Sequence, residues 1–221
     1  MNRRTDILSV LGWFLLLSAL LVSCILSLCF YQPFYSYEYR KNETAAETGM
    51  NAQGMMESTE TILDYLQGRR DDVIVEENVY GSVREVFSEK ERLHMIDVRD
   101  LYRKSLCGMY VLYGLGIIFL MIGLYRSHGH YSIRNMEYGA LLVLGIVLVV
   151  LVLSLTDFDT FWYQLHTIIF PDNMYWLLDP NVSIMINLFP GTFFFDLVIR
   201  IILLYLVFLG IIHWLIKESA C

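Results

Sequence analysis

The chain has 221 residues, 56% of them hydrophobic, and a mean hydropathy of +0.50. Ordinary soluble domains are about 45–50% apolar, so part of this chain must be solvated by lipid. The formal net charge of −7 argues against nucleic-acid binding, which requires a basic surface.

Four apolar runs are long enough to cross a bilayer as helices. A hydrocarbon core about 30 Å thick needs roughly 20 apolar residues in helical form. The predicted spans are residues 7–30, 106–124, 138–155 and 197–216. The first apolar run is longer than the 7–15 residues of a secretory signal, so we expect an uncleaved anchor.

Basic residues in the flanks predict the orientation, because Lys and Arg are enriched in short cytoplasmic loops. They occur before the first span, in the loop 125–137 and after the last span: Arg3, Arg4, Arg126, Arg134 and Lys217. The loop 156–196 has five aspartates and no Lys or Arg. We therefore expect both termini and the loop 125–137 in the cytoplasm, with residues 31–104 and 156–196 outside.

The outer segment 31–104 is predicted to form a small α+β cap on a bundle of four transmembrane helices. Its expected elements are a strand at 34–40, a loose connection at 44–56, a helix at 57–67, and short strands at 73–75 and 78–80. Ser88 and Glu91 have the spacing of a capping box. A helix should therefore begin at Ser88 and run towards the second span.

The outer loop 156–196 is dense in aromatic residues and contains three of the four prolines. Aromatic side chains at this density are typical of a membrane–water interface. We therefore expect the loop to dip into the headgroup layer, covered by the cap.

Two of the five histidines are expected on the outer side. His94 lies on the helix leading into the second span, and His166 lies in the middle of the aromatic loop. Asp97 is at i+3 from His94, so its carboxylate could hold one imidazole nitrogen and fix the tautomer. The pair could be structural, or could act as general base and general acid for acyl transfer. The other three are expected to be solvated or interfacial: His128, His130 and His213.

Other readings of these residues remain open. Asp157 and Asp159, together with the two histidines, could bind a divalent ion, because carboxylate and imidazole ligands suit one. That arrangement would predict a metal-assisted lipid hydrolase. A membrane scaffold or sensor without enzymatic activity would need none of these residues for chemistry. The four cysteines lack disulfide or zinc spacing and are interpreted as inert thiols.

Arg200 is a further candidate, because it lies one turn inside the last predicted span, where a charge is costly and marks a function or a partner. It could pair with Asp196 at i−4, or contact a substrate phosphate or carbonyl.

Two motifs surround the candidate histidines. The upstream motif contains Glu91, Arg92, His94, Met95, Asp97 and Val98. The loop motif contains Phe161, Leu165, His166, Phe170, Asp172, Asn173, Trp176, Leu177, Leu178, Asp179, Pro180, Leu188, Phe189, Pro190, Phe194, Phe195 and Asp196. With the four spans and the large first outer segment, these motifs resemble the bacterial lipoprotein intramolecular transacylase family.

The resemblance implies an enzyme that moves the sn-2 acyl chain of a diacylglyceryl-cysteine to the α-amine of the same cysteine, giving a lyso-form N-acyl lipoprotein. The family's two catalytic histidines match His94 and His166. We expect four further residues to bind substrate or support the histidines: Asp97, Trp176, Asp179 and Arg200. No metal or cofactor is implied. The expected partners are diacylglyceryl-modified lipoproteins and membrane lipid, with the active site on the extracytoplasmic face of the bacterial cell membrane.

Overall fold

The computed structural model describes residues 6–127 and 133–219, and within them the chain is mainly helical. The elements in chain order are α1 (Ile7–Cys29), α2 (Gln32–Lys41), α3 (Thr44–Thr48), α4 (Ala52–Gln67), β1 (Glu76–Val79), β2 (Ser82–Glu85), α5 (Glu89–Arg126), α6 (Ile133–Thr156), α7 (Phe158–Ile169), α8 (Ile184–Leu188) and α9 (Gly191–Ser219). The sequence predictions for Arg3, Arg4, His128 and His130 fall outside the described residues.

The described residues form two compact units. The membrane unit comprises the described residues of Met1–Cys29, Ser105–Thr156 and Val198–Cys221. The second unit comprises Phe30–Lys104 and Asp157–Leu197. The long helices α5 and α9 contribute residues to both units.

The prediction of four membrane-spanning helices is confirmed: α1, α5, α6 and α9 are long and apolar enough to cross a bilayer. Within the membrane unit, small residues let the helices approach closely, as is usual in lipid. A Cβ atom added at Gly12 of α1 would lie 3.0 Å from the carbonyl oxygen of Gly116 on α5. At Gly139 of α6, such an atom would lie 2.8 Å from the backbone nitrogen of Phe14.

In the second unit, the prediction of a strand at 34–40 is wrong, because these residues form part of α2. The alternation of aromatic and polar residues had suggested the two-residue period of a β-strand. The buried side chains instead follow helical spacing: Phe34, Tyr35, Glu38 and Tyr39. Pro33 in the first turn and Arg40 and Lys41 in the last turn also favour a helix.

Residues 44–56 are more ordered than the loose connection that we predicted. They contain α3 and the start of α4, which begins five residues earlier than the helix expected at 57–67. The side-chain oxygen of Asn51 accepts a hydrogen bond of 2.8 Å from the backbone nitrogen of Gly54. This N-cap is the start signal that the sequence analysis overlooked.

The predicted strand at 73–75 is absent from the second unit, where the sheet is the antiparallel hairpin of β1 and β2. Its turn residues, Tyr80 and Gly81, both have positive φ, at 50° and 84°, as a two-residue hairpin turn requires. The ring of Tyr80 covers Gly49, where a Cβ atom would lie 2.5 Å from the ring. The hydroxyl of Tyr80 donates a 2.9 Å bond to the carbonyl of Glu47. The hairpin is thereby fastened to the end of α3.

Glu91 anchors the start of α5 and is only 1% exposed. The predicted capping box is confirmed, because Glu91 Oε2 accepts a 2.6 Å hydrogen bond from the backbone nitrogen of Ser88. Its other oxygen, Oε1, accepts bonds from Ser183 Oγ at 2.5 Å and from the backbone nitrogen of Met185 at 2.9 Å. One carboxylate thus caps its own helix and holds the first turn of α8.

Replacing Glu91 with Ala is expected to destabilise the second unit substantially. The change leaves three donors without a partner, and each buried, unsatisfied donor costs about 1–3 kcal/mol. The midpoint of thermal unfolding in detergent, followed by intrinsic tryptophan fluorescence, should fall by many degrees. Glu89→Ala is the matched control, because Glu89 is exposed in the same first turn. Equal midpoints for the two variants would contradict this role of Glu91.

Candidate active site

The two candidate histidines lie together in the second unit, although they come from different helices. His94 is on the second turn of α5, and His166 is on the last turn of α7. Their ring centroids are 6.3 Å apart, with the ring planes at 41°. Phe170 contacts both rings, at centroid distances of 5.4 Å from His94 and 5.8 Å from His166. An aromatic side chain therefore closes one side of the pair.

A hydrogen bond fixes the tautomer of His166. Its Nδ1 lies 2.8 Å from the carbonyl oxygen of Trp162, one turn earlier on α7. A carbonyl oxygen can only accept, so Nδ1 must carry the proton, and in the neutral ring Nε2 keeps its lone pair. Burial lowers the pKa of His166 below its ordinary 6.5, while the bond to Trp162 opposes that change. The ring is therefore a neutral base near pH 7.

His94 is more deeply enclosed and is only 9% exposed. Its Nδ1 is fully buried and has no hydrogen-bond partner among the described residues. Burial lowers the pKa of His94 to about 4, with a further lowering from the charge of His166 and an opposing effect of Asp97. His94 is therefore neutral across the physiological pH range.

The suggestion that the Asp97 carboxylate could hold the ring of His94 is not matched by a hydrogen bond between the two side chains. Asp97 Oδ2 instead accepts a 3.0 Å hydrogen bond from Nδ2 of Asn173, in the loop after α7. The i+3 spacing placed Asp97 on the correct face of α5. The competing donor comes from a distant part of the chain, and helical periodicity carries no information about it.

Trp176, which was expected to bind substrate or support the histidines, packs against the ring of His166. Its ring centroid is 5.3 Å from that of His166, and the residue is 9% exposed. Its Nε1 donates a 3.2 Å bond to the carbonyl oxygen of Asn173. The contacts Asp97–Asn173–Trp176 therefore connect α5 to the aromatic wall beside His166. The central residue, Asn173, belongs to the loop motif, but no role was predicted for it.

The remaining predicted residues lie elsewhere. Asp179 Oδ1 accepts hydrogen bonds from Asn181, at 2.9 Å from the backbone nitrogen and 2.8 Å from the side chain. This carboxylate shapes the turn that leads to Ser183. Arg200 is exposed on α9 in the membrane unit. Asp196, considered above as its partner, forms an ion pair with Lys41 of α2.

The ligands of the metal-assisted alternative are not gathered into one cluster. Asp157 caps α7, accepting bonds from the backbone nitrogen of Thr160 at 3.0 Å and from its hydroxyl at 2.7 Å. Within residues 6–127 and 133–219, no three His, Cys, Asp or Glu side chains are arranged to bind a metal ion.

The four apolar helices define an integral membrane protein, and its second unit brings together two histidines from distant segments. Residues 9–194 match the family model described as lipoprotein intramolecular transacylase Lit. The chain therefore belongs to the lipoprotein intramolecular transacylase Lit family. A comparison with curated proteins finds no match.

Solved structures support this assignment at the level of the fold. The in meso structure of the transacylase Lit from Bacillus cereus is 17% identical, covers 96% of this chain and 94% of its own, and has a TM-score of 0.75. Two structures of that protein with one histidine replaced are each 16% identical and cover 96% of this chain. The match covers 90% of the arginine variant's chain, with a TM-score of 0.74. It covers 93% of the alanine variant's chain, with a TM-score of 0.73.

Variants of Asp97 test whether this residue acts as a hydrogen-bond acceptor for the loop. Asp97→Asn retains an acceptor for Asn173 and should keep acyl-transfer activity within a few-fold of the wild type. Asp97→Ala and Asn173→Ala should both lower activity about tenfold or more, because the loop that carries Trp176 loses its side-chain hydrogen bond to α5. The measurement is the rate of acyl transfer on a synthetic lipopeptide. Loss of activity in Asp97→Asn equal to that in Asp97→Ala would contradict this role.

The depressed pKa of His94 predicts a pH dependence of stability. The unfolded chain protonates this histidine near pH 6.5, whereas the folded chain resists protonation until about pH 4. Stability is therefore lost as the pH falls from about 6.5 to about 4, by about 3 kcal/mol at most. As the pH falls over this range, the thermal unfolding midpoint of His94→Gln should decrease less steeply than that of the wild type. Parallel curves for the two proteins would contradict the buried, neutral state.

Proposed function

We propose that this protein transfers the sn-2 acyl chain of a diacylglyceryl-cysteine to the α-amine of the same cysteine, with His94 and His166 as the catalytic pair. The observation that carries the proposal is the 6.3 Å separation of the two rings. Rings at this separation are close enough for one substrate group to contact both imidazoles, as acid–base catalysis by the pair requires. Membership of the transacylase family supports the reaction class.

His166 is the proposed general base. The bond from Nδ1 to the Trp162 carbonyl leaves the lone pair of Nε2 available for the substrate. An α-amine has a reference pKa of about 7.7–8.0, so part of it is already neutral at pH 7. His166 removes a proton from the nitrogen as it attacks the sn-2 ester carbonyl, and the new C–N bond forms.

His94 is the proposed donor to the oxyanion that this attack creates. A buried N–H without an acceptor is rarer in proteins than a buried acceptor without a donor, so we assign the proton of neutral His94 to Nε2 rather than to the enclosed Nδ1. The Nε2–H group can then donate to the developing negative charge. Its depressed pKa keeps His94 from competing for the proton that His166 carries.

Collapse of the tetrahedral intermediate breaks the bond between the carbonyl carbon and the sn-2 glyceryl oxygen. His166, now an imidazolium, returns its proton to that oxygen. The net change is one amide formed, one ester broken and one proton moved from nitrogen to oxygen. The enzyme itself ends unchanged, and the residues require no metal or cofactor for these steps.

The aromatic side chains around the pair supply orientation. Both reacting groups belong to one substrate, so the enzyme must chiefly hold a folded conformation, a contribution that reaches about 7–11 kcal/mol in well-oriented reactions. Trp162, Phe170 and Trp176 all contact the ring of His166. Such a wall also excludes the water that would otherwise hydrolyse the ester.

The proposed setting is the bacterial cell membrane, with this site on the extracytoplasmic face and diacylglyceryl-modified lipoproteins as substrates. The basic flanks of the spans support that orientation. Arg200, on the last span, is proposed to contact a substrate carbonyl, and Asp179 to shape the loop that carries Trp176.

Glutamine variants test the two histidine roles separately, because glutamine can donate a hydrogen bond but cannot serve as a base. His166→Gln should lower the acyl-transfer rate by about 10²–10⁴-fold. His94→Gln should retain more activity than His94→Ala, whose loss should reach about 10²–10³-fold. Rates are measured by mass spectrometry on a purified diacylglyceryl lipopeptide. If His166→Gln remained active while His94→Gln did not, the assignment of base and donor would be reversed.

A further inference from the structure

Arg99 and Arg103 form an unneutralised pair on consecutive turns of α5, in the second unit. The other basic side chains nearby have carboxylate partners: Arg69 with Asp64, Arg70 with Asp72 and Lys104 with Asp100. Among the described residues, neither Arg99 nor Arg103 has a carboxylate within 4.0 Å. In a chain with a net charge of −7, two adjacent unpaired guanidinium groups are a distinct feature.

The two guanidinium groups converge on one point. A Cβ atom added at Gly68, the C-cap of α4, would lie 3.5 Å from Nη2 of Arg99 and 3.9 Å from Nη2 of Arg103. Arg99 is held in place by the ring of Tyr65, whose centroid is 4.5 Å from its guanidinium carbon. Its Nε is buried and has no hydrogen-bond partner among the described residues. The last carbonyl groups of α4 attract these cations, but they carry only partial charges and form no ion pair with them.

The position of the pair along α5 indicates which anion it meets. The apolar run predicted to span the membrane begins at residue 106, only three residues, or about 4.5 Å of helix, beyond Arg103. The headgroup region adds about 5–8 Å to each side of the hydrocarbon core. Arg103 therefore lies at the depth of the lipid headgroups. Arg99 lies one turn, or about 6 Å, further from the span, and its guanidinium group shares the position beside Gly68 with that of Arg103.

We propose that Arg99 and Arg103 form a binding site for the phosphate of an anionic phospholipid of the surrounding bilayer. A planar guanidinium donates two parallel N–H groups, which match the geometry of phosphate oxygens. Two such groups around one point can bind the oxygens of a single headgroup. The diacylglyceryl-cysteine of the proposed reaction contains no phosphate, so the ligand is a bilayer lipid and not the substrate.

Lipid titration of the purified full chain in neutral detergent micelles tests this site. The probes are phosphatidylglycerol, phosphatidylcholine of the same acyl chains, and inorganic phosphate. Bound lipid is counted by native mass spectrometry, and the unfolding midpoint is followed in parallel. Phosphatidylglycerol should bind more tightly than phosphatidylcholine and raise the midpoint, because a ligand that binds only the folded state stabilises it. The preference should weaken as salt is added.

Variants assign the binding to these residues. Arg103→Gln should weaken phosphatidylglycerol binding about fivefold, and the double variant Arg99→Gln/Arg103→Gln about 25-fold, following the attraction of each basic side chain to an anionic surface. Arg84→Gln, on the exposed strand β2, is the charge-matched control and should bind like the wild type. Arg103 is exposed, so its single variant remains informative if the double variant fails to fold.

Three results would overturn the site. The first is unchanged phosphatidylglycerol binding in Arg103→Gln. The second is equal affinity of the wild type for the two phospholipids. The third is a stabilisation by inorganic phosphate equal to that by phosphatidylglycerol, which would assign the pair to free anions instead of lipid.

Discussion

The histidine site depends on one constraint. Hydrogen bonds join the first turns of α5 to the segment that follows α7. Glu91 and Asp97 lie one turn before and one turn after His94, and each accepts hydrogen bonds from that segment. The segment carries Trp176, which packs on His166. Because an unsatisfied buried carboxylate would be very costly, this arrangement fixes how α5 and the following loops pair.

The protonation states of the two histidines follow from their surroundings. His94 is enclosed and carries no bond at Nδ1, so burial holds its pKa low. His166 is less enclosed, and the Trp162 carbonyl fixes its proton on Nδ1. Two identical side chains thus acquire different chemical capacities from burial and from one hydrogen bond. In the proposed mechanism, that asymmetry allows His166 to accept a proton while His94 donates a hydrogen bond.

The sequence predicted the features that depend on composition and local spacing. The four spans follow from hydropathy, and the start of α5 follows from the capping box of Ser88 and Glu91. The strand predicted at 34–40 failed because aromatic residues alternate there while the buried set follows helical spacing. For seven residues the two periods are hard to distinguish.

The sequence indicated candidate residues for the site but not the contacts between them. Aromatic density and the family resemblance indicated His94, His166 and Trp176. The hydrogen-bond partner of Asp97 is Asn173, which lies in a distant loop. Such a pairing is decided by how the segments pack, and no spacing within α5 could have indicated it. The pairing of Lys41 with Asp196 was missed for the same reason.

The most direct test of the proposed function is an isotope crossover experiment with the purified protein. One lipopeptide carries a deuterated sn-2 acyl chain and a ¹³C-labelled peptide, and it is mixed with an equal amount of the unlabelled lipopeptide. Transfer within one molecule predicts that every N-acylated ¹³C peptide carries the deuterated chain, and that the product retains only the sn-1 ester. Deuterated chains on unlabelled peptides, or loss of the sn-1 chain instead, would contradict it.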